Sequence, residues 1–155
     1  VVGGMERIHS VQAGLREVRP DAALIAIHDG ARPLVSQEII RDTVARAAIT
    51  GAAAPAIPLT DTIKREDGGL TVETVDRSQL WAVQTPQVFE AGLIRAATQK
   101  ALDDGEVLTD DCGAVERLGM KVTLTSGSRE NLKVTTPLDL ILGEAILRAR
   151  AEGVL

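Results

Sequence analysis

Ala22-Ala23-Leu24-Ile25-Ala26-Ile27, running into His28-Asp29-Gly30-Ala31-Arg32-Pro33, decides the fold of this chain. The apolar run has the length of a strand and no alternation, which is the pattern of a parallel strand covered on both faces. A polar stretch closes it. In sheets of this kind, ligand groups gather beyond the carboxyl ends of the strands, and Asp29 and Arg32 stand at such an end.

Upstream, Ser10 is placed to cap a helix whose apolar positions Val11, Leu15 and Val18 recur at near-helical spacing until Pro20 stops it. Before it, Val1-Val2-Gly3-Gly4 reads as an apolar strand end entering a turn. Downstream, Ser36 is expected to cap a second helix through about Ala48, and Ala52 to Pro58 reads as another short buried strand. Helix alternating with buried strand predicts βαβ units and a mainly parallel sheet.

Residues 60–77 break this rhythm. Thr62 to Glu66 and Leu70 to Val75 flank Asp67-Gly68-Gly69, a hairpin turn signal. Both arms are too polar to lie inside the sheet, so the hairpin is expected to project and to rest on a partner subunit, since bare strand edges invite pairing. The α/β pattern then resumes. Helices are predicted from about Glu90 to Asp104 and from about Asp111 to Leu118, the second led by Asp110; strands are predicted at Lys121 to Thr125 and Asn131 to Val134. Thr136 as N-cap, Pro137 at the first helical position and Asp139 in the first turn mark the last helix. The expectation is a single α/β domain over residues 1–155, with a projecting arm at about 60–80.

Composition narrows the function. With 155 residues the chain is long enough for one core. Its 45% apolar content is carried by Ala, Val, Leu and Ile, with Trp81 and Phe89 as the aromatics and no Tyr, so base stacking is not expected. A net charge of −5 spread over mixed-sign stretches lacks the basic footprint of a nucleic-acid binder. No apolar window approaches the roughly 18 residues of a membrane span. The lone Cys112 can form no intrachain disulfide, and with no secretory signal apparent a reducing cytoplasm is expected. His9, His28 and Cys112 show neither zinc-ligand spacing nor a nucleophile–base arrangement.

A set of polar residues at element ends remains: Asp29, Arg32, Thr62, Arg77, Thr85, Thr109 and Lys133. Any one alone is an ordinary polar strand end. Together, Arg, Lys and Thr hydroxyls are what a phosphate monoester requires, because charge-assisted hydrogen bonds are roughly twice as strong as neutral ones. An Asp among them suits a metal ion or a sugar hydroxyl.

The blocks Gly3-Gly4-Met5-Glu6-Arg7 with Ser10-Val11-Gln12-Ala13-Gly14-Leu15, His28 to Pro33, Asp61-Thr62-Ile63-Lys64, Val75-Asp76-Arg77, Leu80 to Phe89, Thr109-Asp110-Asp111 and Glu130 to Thr135 follow one another in an order that resembles the 2-C-methyl-D-erythritol 4-phosphate cytidylyltransferases. The resemblance covers essentially the whole chain and implies a Rossmann-like nucleotidyltransferase domain. It implies transfer of CMP from CTP to methylerythritol phosphate with Mg²⁺, and a homodimer interlocked through the hairpin arm. Carried over residue by residue, it implies cytidine contacts at Gly4, Met5 and Ser10, and contact of Asp29 with metal and substrate. Arg32 and Thr109 fall at substrate positions, and Thr62 at a substrate hydroxyl. Arg77 and Thr85 match the grip on methylerythritol phosphate, both reached from the arm of a second subunit, and Lys133 matches a phosphate-binding lysine; Lys133, Asp29 and Arg77 are the implied catalytic set.

The chain departs from that family in one large respect: the opening strand and the Gly-rich loop, whose Arg and Lys wrap the CTP phosphates, have no match here. Met5 is a smaller departure, standing where the family often has a polar residue. Three alternatives stay open: a ribitol 5-phosphate cytidylyltransferase, a dimerising or phosphate-binding module without catalysis, and a piece of a bifunctional protein continuing past Leu155.

Overall fold

The computed structural model describes residues 1–155. Its elements are α1 (Arg7–Glu17), β1 (Leu24–Ile27), α2 (Gln37–Thr50), β2 (Ala52–Pro58), β3 (Ile63–Asp67), β4 (Leu70–Val75), β5 (Trp81–Val83), β6 (Gln87–Glu90), α3 (Ala91–Asp103), α4 (Asp111–Arg117), β7 (Thr123–Ser126) and α5 (Pro137–Ala151). No helix is long and apolar enough to cross a membrane.

The α/β architecture with a mainly parallel sheet is present, and a reversed track runs between its forward strands. β1 pairs antiparallel with β6, β6 antiparallel with β2, and β2 parallel with β7. Thus β1, β2 and β7 run one way. β6 and β5 both pair antiparallel with β2, at Ala52–Ala53 and at Ala56–Pro58 respectively, and form one reversed track interrupted at residues 84–86. The stretch Leu80 to Phe89, read in the sequence only as a motif, supplies that track. Its polar interruption hid the strand pattern.

Alternating side chains of the sheet feed two apolar layers. Ala52, Ala54, Ile25 and Phe89 face a cluster built from Ile8 and Leu15 of α1, Ile94, Ala97 and Ala101 of α3, and Cys112, Ala114 and Val115 of α4. Ala53 and Val88 face Ala47 of α2 on the other side. Every residue from Ala52 to Ala56 is buried, and their small side chains let helices approach both faces of β2 closely.

Local chemistry sets the ends. Ser36 Oγ accepts from Ile39 N (3.2 Å) to start α2, and Asp110 Oδ1 accepts from Gly113 N (3.0 Å) to start α4. Thr136 and Asp139 form a reciprocal capping box on α5, with Pro137 in the first turn. Gly68 and Gly69, at φ 58° and 84°, close the β3–β4 hairpin in a turn that needs the left-handed region at both positions. That hairpin is a separate two-stranded sheet, with Leu70 and Val72 exposed.

Three expectations are corrected. Val1-Val2 is not a strand end: both residues lie outside any strand and are exposed, with no neighbouring strand to pair with. Ser10 does not cap α1, which begins at Arg7; its hydroxyl instead accepts from Gly4 N at 3.0 Å and so ties the preceding loop to the helix. Asn131 to Val134 is not a strand. The Asn131 side chain is fully buried and bonds to Thr85 O (3.0 Å) and Gln84 Oε1 (3.3 Å), and Val134 N reaches Ala31 O (2.7 Å), so this segment is held by side chains and single backbone bonds rather than by a ladder.

Candidate active site

β1 ends at Ile27, paired with Gln87 at the start of β6. The end of a forward strand and the start of the reversed track therefore lie side by side. His28 to Arg32 turns immediately, with Arg32 N donating to Asp29 O (2.9 Å), and Asp29 N donates to Thr85 Oγ1 (3.1 Å) across the sheet edge. A third segment joins from beyond β7, where Arg32 Nη1 donates to Asn131 O (2.7 Å) and Lys133 Nζ lies 3.0 Å from Asp29 Oδ2.

Arg7, Asp29, Arg32, Val83, Thr85, Gln87, Thr109, Asp110 and Lys133 together line a cleft of about 120 Å³. Five of the residues singled out from sequence meet here: Asp29, Arg32, Thr85, Thr109 and Lys133. Thr85 is not on the arm as expected, because it lies between β5 and β6 and is bonded to Asp29 N of its own chain. Ser10 lies in an adjoining groove of about 470 Å³ between α1 and β1, which shares Arg7 and Asp29 with the cleft. Gly4 sits at the mouth of α1, where a Cβ would stand 2.2 Å from His9 Cβ, so only glycine fits. Met5 is fully exposed. Thr62, just before β3, and Arg77, in the turn after β4, are on the arm and exposed; neither lines the cleft of its own chain.

Residues missed in the sequence support this cleft. Arg7 makes a bidentate pair with Asp111 (2.9 and 2.6 Å). Gln87, fully buried, donates to Asp110 Oδ2 (2.9 Å) and accepts from Asp111 N and Cys112 N (3.0 and 3.1 Å), fastening the start of α4 to β6 and with it Thr109. Only the clustering of polar residues in Gln84-Thr85-Pro86-Gln87, inside an otherwise buried run, signalled such a role.

Three cations, Arg7, Arg32 and Lys133, and two acids, Asp29 and Asp110, line the cleft. Burial alone would raise the Asp29 carboxyl, but the Lys133 ammonium, with Arg7 and Arg32 behind it, holds it below the ordinary carboxylate value. Asp29 is thus a carboxylate engaged by cations. Arg32 Nε is buried without a hydrogen-bond partner, 3.6 Å from Asp29 Oδ2. No group of three or more His, Cys, Asp or Glu side chains converges to hold a metal ion, so a metal bound here would need ligands from a substrate, as Mg²⁺ commonly takes them from phosphates. Burial, with the neighbouring acidic groups, pushes the Cys112 thiol up, which leaves it inert.

Comparison with known proteins shows the family. The profile of the 2-C-methyl-D-erythritol 4-phosphate cytidylyltransferase family matches residues 1–149. A protein of that name from Caldanaerobacter subterraneus is 49% identical over 149 residues, 96% of this chain and 66% of its own length. One from Halalkalibacterium halodurans is 50% identical over 147 residues, 95% of this chain and 64% of its own. The crystal structure of the Thermus thermophilus cytidylyltransferase superposes with a TM-score of 0.88 at 36% identity, covering 96% of this chain and 72% of that one. The chain thus spans just under two-thirds of the length of these curated relatives.

Proposed function

The chain belongs to the 2-C-methyl-D-erythritol 4-phosphate cytidylyltransferase family, and from that premise we propose that it transfers CMP from CTP to methylerythritol phosphate, releasing pyrophosphate. The observation that carries this reading is the cleft in which Arg32, Lys133, Thr85 and Thr109 surround Asp29 at the end of β1.

The nucleophile is a phosphate oxygen of the acceptor, already anionic at neutral pH, so no strong general base is needed. The attack runs in line on the α-phosphorus of CTP and expels pyrophosphate. The work of the protein is to hold two mutually repelling anions in reach and to neutralise the five-coordinate transition state. Lys133 and Arg32 supply fixed positive charge, while Asp29 fixes the Lys133 ammonium and faces the acceptor. Mg²⁺, when bound with the nucleotide phosphates, would meet Asp29 as its protein carboxylate and offset negative charge. Gly4 and Ser10, tied together at 3.0 Å, border the nucleoside side along with Met5.

A homodimer belongs to the same reading. The arm carries Thr62 and Arg77 away from their own cleft, and its exposed Leu70 and Val72 suit a covered surface; docking on a second copy would bring both polar residues to that copy's cleft. The reading places the protein in the cytoplasm, where its single buried Cys112 needs no oxidising environment. No role with nucleic acid or membrane is part of it.

The test is pyrophosphate release with CTP, Mg²⁺ and methylerythritol phosphate, alongside ribitol 5-phosphate as competing acceptor. Turnover with the first acceptor is expected. Preference for ribitol 5-phosphate would overturn the substrate, and a folded dimer that releases no pyrophosphate with either would mark the chain as a binding module.

A further inference from the structure

His28 joins β1 to Asp29. Its ring bridges two sides of the cleft, with Nε2 3.1 Å from Arg32 O and Nδ1 2.9 Å from Thr85 Oγ1. A carbonyl oxygen only accepts, so Nε2 carries the proton; in that tautomer Nδ1 is the acceptor and the Thr85 hydroxyl the donor. One lone pair of Thr85 Oγ1 is already taken by Asp29 N–H at 3.1 Å. What Thr85 can offer a ligand is its second lone pair.

That polarity discriminates between the two ends of a polyol phosphate. A phosphate dianion brings acceptors only, and would face an acceptor here; a polyol hydroxyl brings a proton. The donors that suit phosphate, Arg32 and Lys133, line the same cleft. Resting on the cytidylyltransferase reading, we propose that His28 is a positioning residue that turns Thr85 into a hydrogen-bond acceptor for a hydroxyl of the polyol chain, and so helps to distinguish a polyol phosphate from phosphate itself. The Thr85 side is rigid, because this residue is 4% exposed and its carbonyl is held by Asn131 Nδ2 at 3.0 Å. His28 is exposed, so replacing it removes little packing.

Two measurements on the whole chain test this. In ¹⁵N spectra of the histidine rings, His28 should show the Nε2–H tautomer, and Thr85→Val should move its Nδ1 resonance and leave Nε2 in place. The opposite tautomer, or an Nδ1 signal indifferent to Thr85→Val, overturns the proposal whether or not the protein turns over. Calorimetric titration then compares methylerythritol phosphate with inorganic phosphate. Thr85→Val and His28→Leu should each weaken the polyol phosphate roughly five- to tenfold, the scale of one lost hydrogen bond. The double variant should lose no more than either single one, Thr85→Ser should retain affinity, and inorganic phosphate should bind all variants alike. Equal loss for inorganic phosphate, or additive losses in the double variant, overturns it. Wild-type protein with the expected ring spectrum that binds inorganic phosphate but no polyol phosphate contradicts the cytidylyltransferase reading, while the spectrum still upholds the His28–Thr85 linkage.

Discussion

Lys133 Nζ and Asp29 Oδ2 meet at 3.0 Å across the cleft, joining the segment after β1 to the segment after β7. The pair helps to keep Asp29 ionised and holds the ammonium at the wall of the cleft. Lys133→Ala should lower kcat/KM for methylerythritol phosphate at least tenfold, ~1.4 kcal/mol of transition-state stabilisation, with the thermal transition little changed because Lys133 is about half exposed. Asp29→Asn should weaken the Mg²⁺ dependence of turnover. Wild-type kinetics in Lys133→Ala would take it out of the site.

Arg77→Ala should also lose at least tenfold in kcat/KM, ~1.4 kcal/mol. Its position on the arm makes a sharper test possible. If Arg77 serves the cleft of a second copy, mixing and reannealing the Arg77→Ala and Lys133→Ala proteins creates mixed dimers with one intact site, restoring roughly a quarter of wild-type activity. An inactive mixture that contains mixed dimers would place Arg77 in its own subunit's site.

Gln87 is 2% exposed and satisfies the backbone N–H groups of Asp111 and Cys112. Gln87→Leu leaves both donors without a partner at the start of α4, and should cost about 2–3 kcal/mol of stability, read as a lowered denaturant midpoint. A loss below about 0.5 kcal/mol would mean that water replaces the amide.

Asp139 takes hydrogen bonds from the backbone and side chains of Thr135 and Thr136, and Glu90 from Gly92 N and Leu93 N; both carboxyls are held below their ordinary values. A group whose folded-state pKa is depressed adds stability above its unfolded value and loses it as pH falls through the folded one. Melting temperature should therefore decline as pH drops below the reference values of 3.8 for Asp139 and 4.5 for Glu90. The gap between wild type and Asp139→Asn should be full at pH 7 and close on acidification. A gap that persists at the lowest pH would show that the capping box works through shape rather than charge.

Much of the framework was legible because local chemistry and tertiary packing agreed. The buried alanine strand β2, the two-glycine hairpin turn and the Thr136-Pro137-Asp139 helix start lie where their residues put them. The reversed track was not legible. Gln84, Thr85 and Gln87 are buried polar residues whose partners, Ser128, Asn131 and Asp110, lie far along the chain, so no local pattern announces them. For the same reason Asn131 to Val134 looked like a strand, and the Arg7–Asp111 pair stayed hidden between two motifs read separately. Element ends that collect cations and hydroxyls are visible in sequence; the contacts that aim them are not.

The arm leaves the sheet and returns to it at a single rung. Pro58, the last residue of β2, is paired with Trp81, the first of β5, and Leu59 N donates to Leu80 O at 3.1 Å, so the intervening segment is closed off like a loop tied at its neck. Its length can change without disturbing the register of the strands that hold Asp29 and Thr85, whereas Thr62 and Arg77 tie its sequence to the cleft that the proposed dimer would bring them to. The neck thus separates how far the arm extends from how the sheet edge is built, while the residues at its base stay bound to the chemistry.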